Sequence, residues 1–163
     1  MKQRGAFSCA VRTVVAALAL LLLLSPVPLS AQWPTSAAAA AEIARAWEGH
    51  DFGGLLGGAR VEIRLPGISA SGPVPPEQAR VLLAGYVRGA EEVAVEVASV
   101  MEVSPVSGYA ELRRRYRPGG VGEPVEEVIL VGLGRTRLRE GGGGTEFGPW
   151  RVEVVQAGGS RGR

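Results

Sequence analysis

The hydrophobic pattern of this chain is mostly helical in period up to residue 90 and alternates after it, and that shift constrains the fold more than any other feature. Before residue 90 most apolar residues recur at three- and four-residue spacing; from residue 93 onward they alternate. A period near 3.6 buries one stripe of a helix, and a period of 2 buries one face of a strand. Helices followed by a run of strands can hide both apolar surfaces only by packing one layer on the other, which predicts an α+β domain.

The segments follow from this. Ala37 to Glu48 is alanine-rich, with Ile43 and Trp47 on one face; Thr35 or Ser36 is placed to cap it and Gly49 to stop it. Asp51 is placed to cap a short turn through Leu56. Arg60 to Leu65 alternates strictly, with Val61, Ile63 and Leu65 against Arg60, Glu62 and Arg64, as a half-buried strand requires. Ile68 to Gly72 reads as a short return strand. Pro75 and Pro76 open a second helix, with Glu77 in its first turn and Ala79, Leu82, Leu83 and Tyr86 at helical spacing to about Gly89. Four strands are then predicted over 93–103, 109–117, 125–139 and 150–155. In the first of these, Val93, Val95, Val97, Met101 and Val103 are expected on one face. Residues 141–144 are expected as a hairpin tip, and 157–163, rich in Gly, Ser and Arg, as a disordered tail.

The first 31 residues are a different polymer. Lys2, Arg4 and Arg12 precede an aliphatic run from Val14 to Leu24, which is shorter than the roughly 20 residues a bilayer core demands. Ser25, Pro26 and Pro28 break the run, and Ala31 offers a small residue for cleavage. Residues 1–31 therefore read as a signal peptide, 32–36 as a linker, and the protein as exported to the periplasm or beyond. Cys9 precedes the apolar run, where a lipid-anchor cysteine would follow it, so no stable membrane anchor is expected after cleavage. The leader takes three of the 18 basic residues and none of the 16 acidic ones. The 15 that remain against 16 acids leave the mature chain near −1, which removes the charge argument for nucleic-acid binding. The mature chain holds one histidine and no cysteine, so neither a metal site nor a cofactor motif is expected.

The order helix, "GHDFGGLLGG", strand "ARVEIRLPG", helix "PPEQARVLLAGYVRG", then four strands resembles the nuclear transport factor 2-like family, in particular its secreted bacterial members of unknown function. The resemblance covers about residues 36–156. It implies a strongly curved antiparallel sheet that wraps the helices into a cone around an apolar cavity. The family includes isomerases, dehydratases and cyclases beside non-catalytic binding and dimerisation modules. Where steroid-isomerase-like members carry a general-base acid after a Val-Glu pair on the first strand, this chain has Ile63 after Val61 and Glu62. Where dehydratase-like members pair histidine with aspartate in the cavity, this chain has only the adjacent His50 and Asp51.

The candidate chemistry is accordingly thin. His50 and Asp51 are either an acid/base pair or a solvated corner in which Asp51 caps a turn. Glu91–Glu92 and Glu126–Glu127 read as solvated strand ends. Arg113, Arg115 and Arg117 share a strand face with Tyr109 and Glu111, which turns Arg114 toward the other face with Ala110, Leu112 and Tyr116. If that face is inward, Arg114 is a buried cation that needs an internal Glu or a bound carboxylate; otherwise it is part of a solvated edge. Trp47, Tyr86, Tyr116 and Trp150 either line a pocket with Arg114 or fill the core. The leading expectation is an exported, non-catalytic module that binds a small apolar or anionic ligand or self-associates as a homodimer. The alternative is a small isomerase or hydro-lyase using Glu62, His50 or Asp51.

Overall fold

The computed structural model describes residues 33–57, 59–68, 71–141 and 144–158. The expected signal peptide, Gln32, Ser69 and Ala70 of the expected return strand, and residues 159–163 lie outside that range.

Helix α1 spans Ser36–Glu48. Thr35 caps it from an extended backbone, its hydroxyl accepting from the Ala38 N–H at 3.1 Å. Ser36, Ala39, Ala40, Ile43, Ala44 and Trp47 form its buried stripe, at the spacing the sequence predicts. Small alanines let the helix lie close to the sheet, and Ile43 and Trp47 supply most of the buried area. Each of these two side chains contributes about 2–3 kcal/mol, so Ile43→Asp is the single change best placed to detach α1.

The stop differs from expectation. Gly49 is right-handed at φ −87°, and the left-handed residue is His50 at φ 53°. The His50 N–H donates to Trp47 O and the Asp51 N–H to Ala46 O, the paired bonds of a Schellman end. A non-glycine residue in this region costs about 1 kcal/mol relative to glycine, so the side chain of His50 has a reason to be there. Asp51 caps no helical turn: its Oδ1 accepts from the Gly53 N–H at 3.0 Å in a local Asx turn.

Strand β1 is Glu62–Arg64, and Val61 exchanges two backbone hydrogen bonds of 2.9 Å with Val74. Helix α2 is Pro76–Val87, entered through Pro75 and Pro76 and buried along Ala79, Leu83 and Val87. Gly89, at φ 77°, then turns the chain into the sheet.

The remaining strands are β2 Ala90–Ser104, β3 Ser107–Pro118, β4 Val125–Gly134, β5 Arg137–Gly141, β6 Gly144–Phe147 and β7 Arg151–Gly158. The main sheet runs β1-β7-β4-β3-β2, with β5 and β6 as a separate two-stranded ribbon. The expected wholly antiparallel sheet is corrected at one edge, where β1 pairs parallel to β7. No hairpin joins β1 to its neighbour; α2 and several strands intervene, so nothing forces reversal. The fold is α+β as predicted, with α1 against the inner face of β2 and β3.

Two further corrections concern the strands. The five residues expected on one face of β2 do not stay there, because the register shifts at Glu92/Ala94, Val97/Ser99 and Glu102/Ser104. Each bulge inserts a residue and reverses the alternation. Met101 lies opposite outward-facing Tyr109, and Val103 is 67% exposed. The expected 125–139 strand is two. After Gly134 the Arg135 N–H donates to Val106 O at 3.0 Å, outside the ladder, and Arg137 restarts in the ribbon.

The ends are also tighter than expected. Trp33, assigned to a linker, is buried, and its carbonyl accepts from the Trp150 N–H at 2.9 Å. Ala157 and Gly158, assigned to a tail, pair with Ile129 and Val128 as the end of β7.

Candidate functional site

The strongest chemical feature is built by the alternation of β3. Ala110, Leu112 and Arg114 are all buried, while Arg113 and Arg115 point outward. Arg114 is therefore carried into the interior by the same period that packs its apolar neighbours, and its side chain is 1% exposed. An isolated cation there would cost several kcal/mol. Two carboxylates meet it. Glu127 lies directly across the β3–β4 ladder and accepts from Nη1 at 3.0 Å. Glu92, on β2, accepts from Nε at 3.0 Å at each of its oxygens and from Nη2 at 2.6 Å. The guanidinium lies 3.9 Å over the Tyr116 ring, with Trp47 and Tyr86 at 5.5 and 5.7 Å.

Each acid has a second partner. His50 Nε2 is 2.9 Å from Glu92 Oε1, so the left-handed end of α1 hands its side chain to the cluster. The Tyr86 hydroxyl, on α2, donates to Glu127 Oε1. The network His50–Glu92–Arg114–Glu127–Tyr86 thus ties both helices to three adjacent strands. Burial alone would lower the pKa of Arg114, but hydrogen bonds and charge from Glu92 and Glu127 outweigh it and hold the guanidinium above its ordinary value. Burial, and then the hydrogen bond to Glu127 and its charge, push the Tyr86 phenol up.

Arg114, Glu127 and Tyr86 of this network reach the floor of an open cleft of about 560 Å³ at the ends of β1 and β7 and the start of β4. Arg64, Leu65, Pro66, Tyr86, Arg114, Tyr116, Val125, Glu127, Ala157 and Gly158 line it. A second hollow of about 520 Å³ adjoins at Pro66 and Tyr86, bounded by Ile68, Val81 and Leu82.

The structure brings together three of the five residues expected to bind ligand: Tyr86, Arg114 and Tyr116. Trp47 lies behind them in the core, edge-on to Phe52 and Tyr86 at 5.4 and 6.2 Å. Trp150 is buried at the opposite end of the sheet, with the Arg135 guanidinium 4.6 Å from its ring. The acid/base candidates do not converge. Glu62 sits on the sheet face opposite buried Ile63 and accepts from Arg64 at 2.9 and 2.7 Å. Asp51 is exposed in its Asx turn.

Glu92 and Glu127 are the members of the site that sequence reasoning missed. One acid of each pair is solvated, but Glu92 and Glu127 are 5% and 9% exposed. The signal was available: pairing alternation puts one residue of any adjacent pair on the face that Arg114 occupies. The outward arginines are matched in the same way. Arg113 lies across from Glu96, Arg115 from Glu126, and Arg117 reaches Glu91 at 3.4 Å.

Among the described residues no group of three or more His, Cys, Asp or Glu side chains is placed to hold a metal ion, and no helix is long and apolar enough to cross a membrane. Neither a known protein family nor any curated protein matches the chain. The fold defines an α+β domain with a bulged mixed sheet, and the site defines an internally neutralised arginine beneath a cleft.

Proposed function

We propose that this chain is an exported, non-catalytic domain that binds a small ligand in the cleft beside Tyr86 and Tyr116, on a cone-like fold akin to the nuclear transport factor 2-like family. One observation carries the reading. The charged groups at and behind the cleft floor already spend their hydrogen bonds on one another: Arg114 on Glu92 and Glu127, Glu92 on His50, Glu127 on Tyr86. A general base needs a lone pair within reach of a substrate proton, and here the acids' oxygens face a guanidinium, an imidazole and a phenol. What remains is a shaped, partly aromatic surface. The leader of residues 1–31 supports export.

Native mass spectrometry of the exported mature chain tests this. The expected spectrum shows a small molecule retained by the folded chain and absent from Ala157→Phe, which fills the cleft. Identical adduct-free spectra for both proteins would overturn the reading.

A separate observation favours self-association as a second reading. Among the described residues eight large hydrophobic side chains are exposed, and Val93, Val97, Met101 and Val103 all lie on β2, one edge of the sheet. Such an edge is a template for pairing with another strand. Light scattering should give twice the mature mass, reduced to the monomer by Val103→Lys; a monomer before substitution would sink it.

A further inference from the structure

Arg45, Arg64, Arg80, Arg114 and Arg117 each pair with a glutamate. Arg135 is held in place without one. Its guanidinium lies 4.7 Å from the centre of the Phe147 ring and 4.6 Å from that of Trp150, and its Nε donates to the Pro105 carbonyl at 2.6 Å. Two rings and a carbonyl together fix the orientation of the group, so little side-chain entropy is left for a ligand to quench. The Nη1–Nη2 edge has a different setting. Neither nitrogen has a hydrogen-bond or ion-pair partner among the described residues. The side-chain nitrogens buried without a partner among those residues are Trp47 Nε1 and Arg151 Nε, so the Nη edge of half-buried Arg135 is open to solvent. A fixed cation whose fork faces water suits a planar anion: two N–H groups match two oxygens, and one charge answers one.

We propose that the Nη edge of Arg135 is a binding point for a carboxylate, at the far end of β4 from the cleft and independent of it. At Arg114 the chain supplies the acids itself; at Arg135 a ligand supplies one. The carboxylate displaces water from Nη1 and Nη2 and forms a flat two-bond contact. The rings beside it lower the local polarity, so the contact is stronger than the same pair on an open surface.

The test titrates acetate into the mature protein in chloride buffer while carbon-detected NMR follows the guanidinium signals. Arg88 is the internal control, an exposed arginine that no ring or acid of the described residues holds. Acetate should half-saturate Arg135 at a concentration about tenfold below that needed at Arg88. Acetamide, of the same shape without the charge, should leave both signals in place, and inorganic phosphate should bind Arg135 no more tightly than acetate. Arg135→Lys keeps the charge and loses the fork, so acetate should no longer give a saturable shift of the Phe147 ring signals. The contrast between Arg135 and Arg88 in the unaltered protein decides even if the variant fails to fold. Equal responses at the two arginines, or equal responses to acetate and acetamide, overturn the site. Tighter binding of phosphate than of acetate overturns the carboxylate as its ligand.

Discussion

Arg114 and Arg135 are both guanidinium groups laid against aromatic rings, and they sit near opposite ends of β4. The seven-residue span from Glu127 to Gly134 separates the two ends by about 24 Å of strand. Arg135 lies 4.7 Å from Phe147 and 4.6 Å from Trp150, and its Nε donates to the Pro105 carbonyl at 2.6 Å. It is half-buried, so water answers the rest of its charge. Arg114 is sealed off from water, and two carboxylates answer its charge instead. The same residue type against the same ring chemistry therefore does two jobs. Arg135 fastens the β2–β3 turn to the ribbon and to Trp150, while Arg114 organises a charged floor that touches both helices.

The two sites should break differently. Arg114→Met leaves Glu92 and Glu127 buried without their cation, and should lower unfolding stability in urea by about 3–5 kcal/mol. Arg135→Ala removes a hydrogen bond and two cation–π contacts but strands no buried charge; a loss of about 1–2 kcal/mol is expected in the same titration. Equal losses would erase the distinction. His50 gives a finer comparison within the first site. His50→Gly and His50→Ala both lose the contact with Glu92, but glycine relieves the left-handed backbone, so it should be the more stable of the two by about 1 kcal/mol in thermal unfolding. A reversed order would mean that the end of α1 is not held as described.

The smallest effect is on pH. Because the Tyr86 phenol is pushed up in the folded protein, it favours the protonated form more than the unfolded chain does. The stability it contributes is whole below the ordinary phenol pKa of about 10 and drains above it, as pH climbs toward the raised folded value. The urea midpoint should fall between about pH 9 and about pH 11, and more gently in Tyr86→Phe. A fall of the same size in both proteins would remove Tyr86 from the cause.

What the sequence made legible was whatever depends on local period and caps. A cap at Thr35 or Ser36, the Ile43–Trp47 stripe, the paired prolines before α2 and the sharing of one strand face by Arg114, Ala110 and Leu112 all follow from a few neighbouring residues, though not whether that face is buried. What it concealed depended on partners far away in the chain. The bulges of β2 answer to its pairing with β3, so the valine alternation misled. Arg135 ends β4 because a carbonyl 30 residues earlier takes its guanidinium. The fate of each acid pair depended on which residue faced Arg114 across a ladder that had yet to be drawn. Gly132 depends on a partner strand too: it lies at the register shift between β4 and β7, where an added Cβ would come within 3.1 Å of Val154.

The account stands on the claim that Arg114, Glu92 and Glu127 form a closed charge cluster whose members are costly apart and dispensable together. Replacing all three at once, as Arg114→Met with Glu92→Leu and Glu127→Leu, measures that claim against Arg114→Met alone. The triple variant should recover most of the stability lost by the single one in urea unfolding, since no buried charge is then left unanswered. A triple variant no more stable than the single one would contradict the claim, and would mean that the carboxylates had never depended on the arginine.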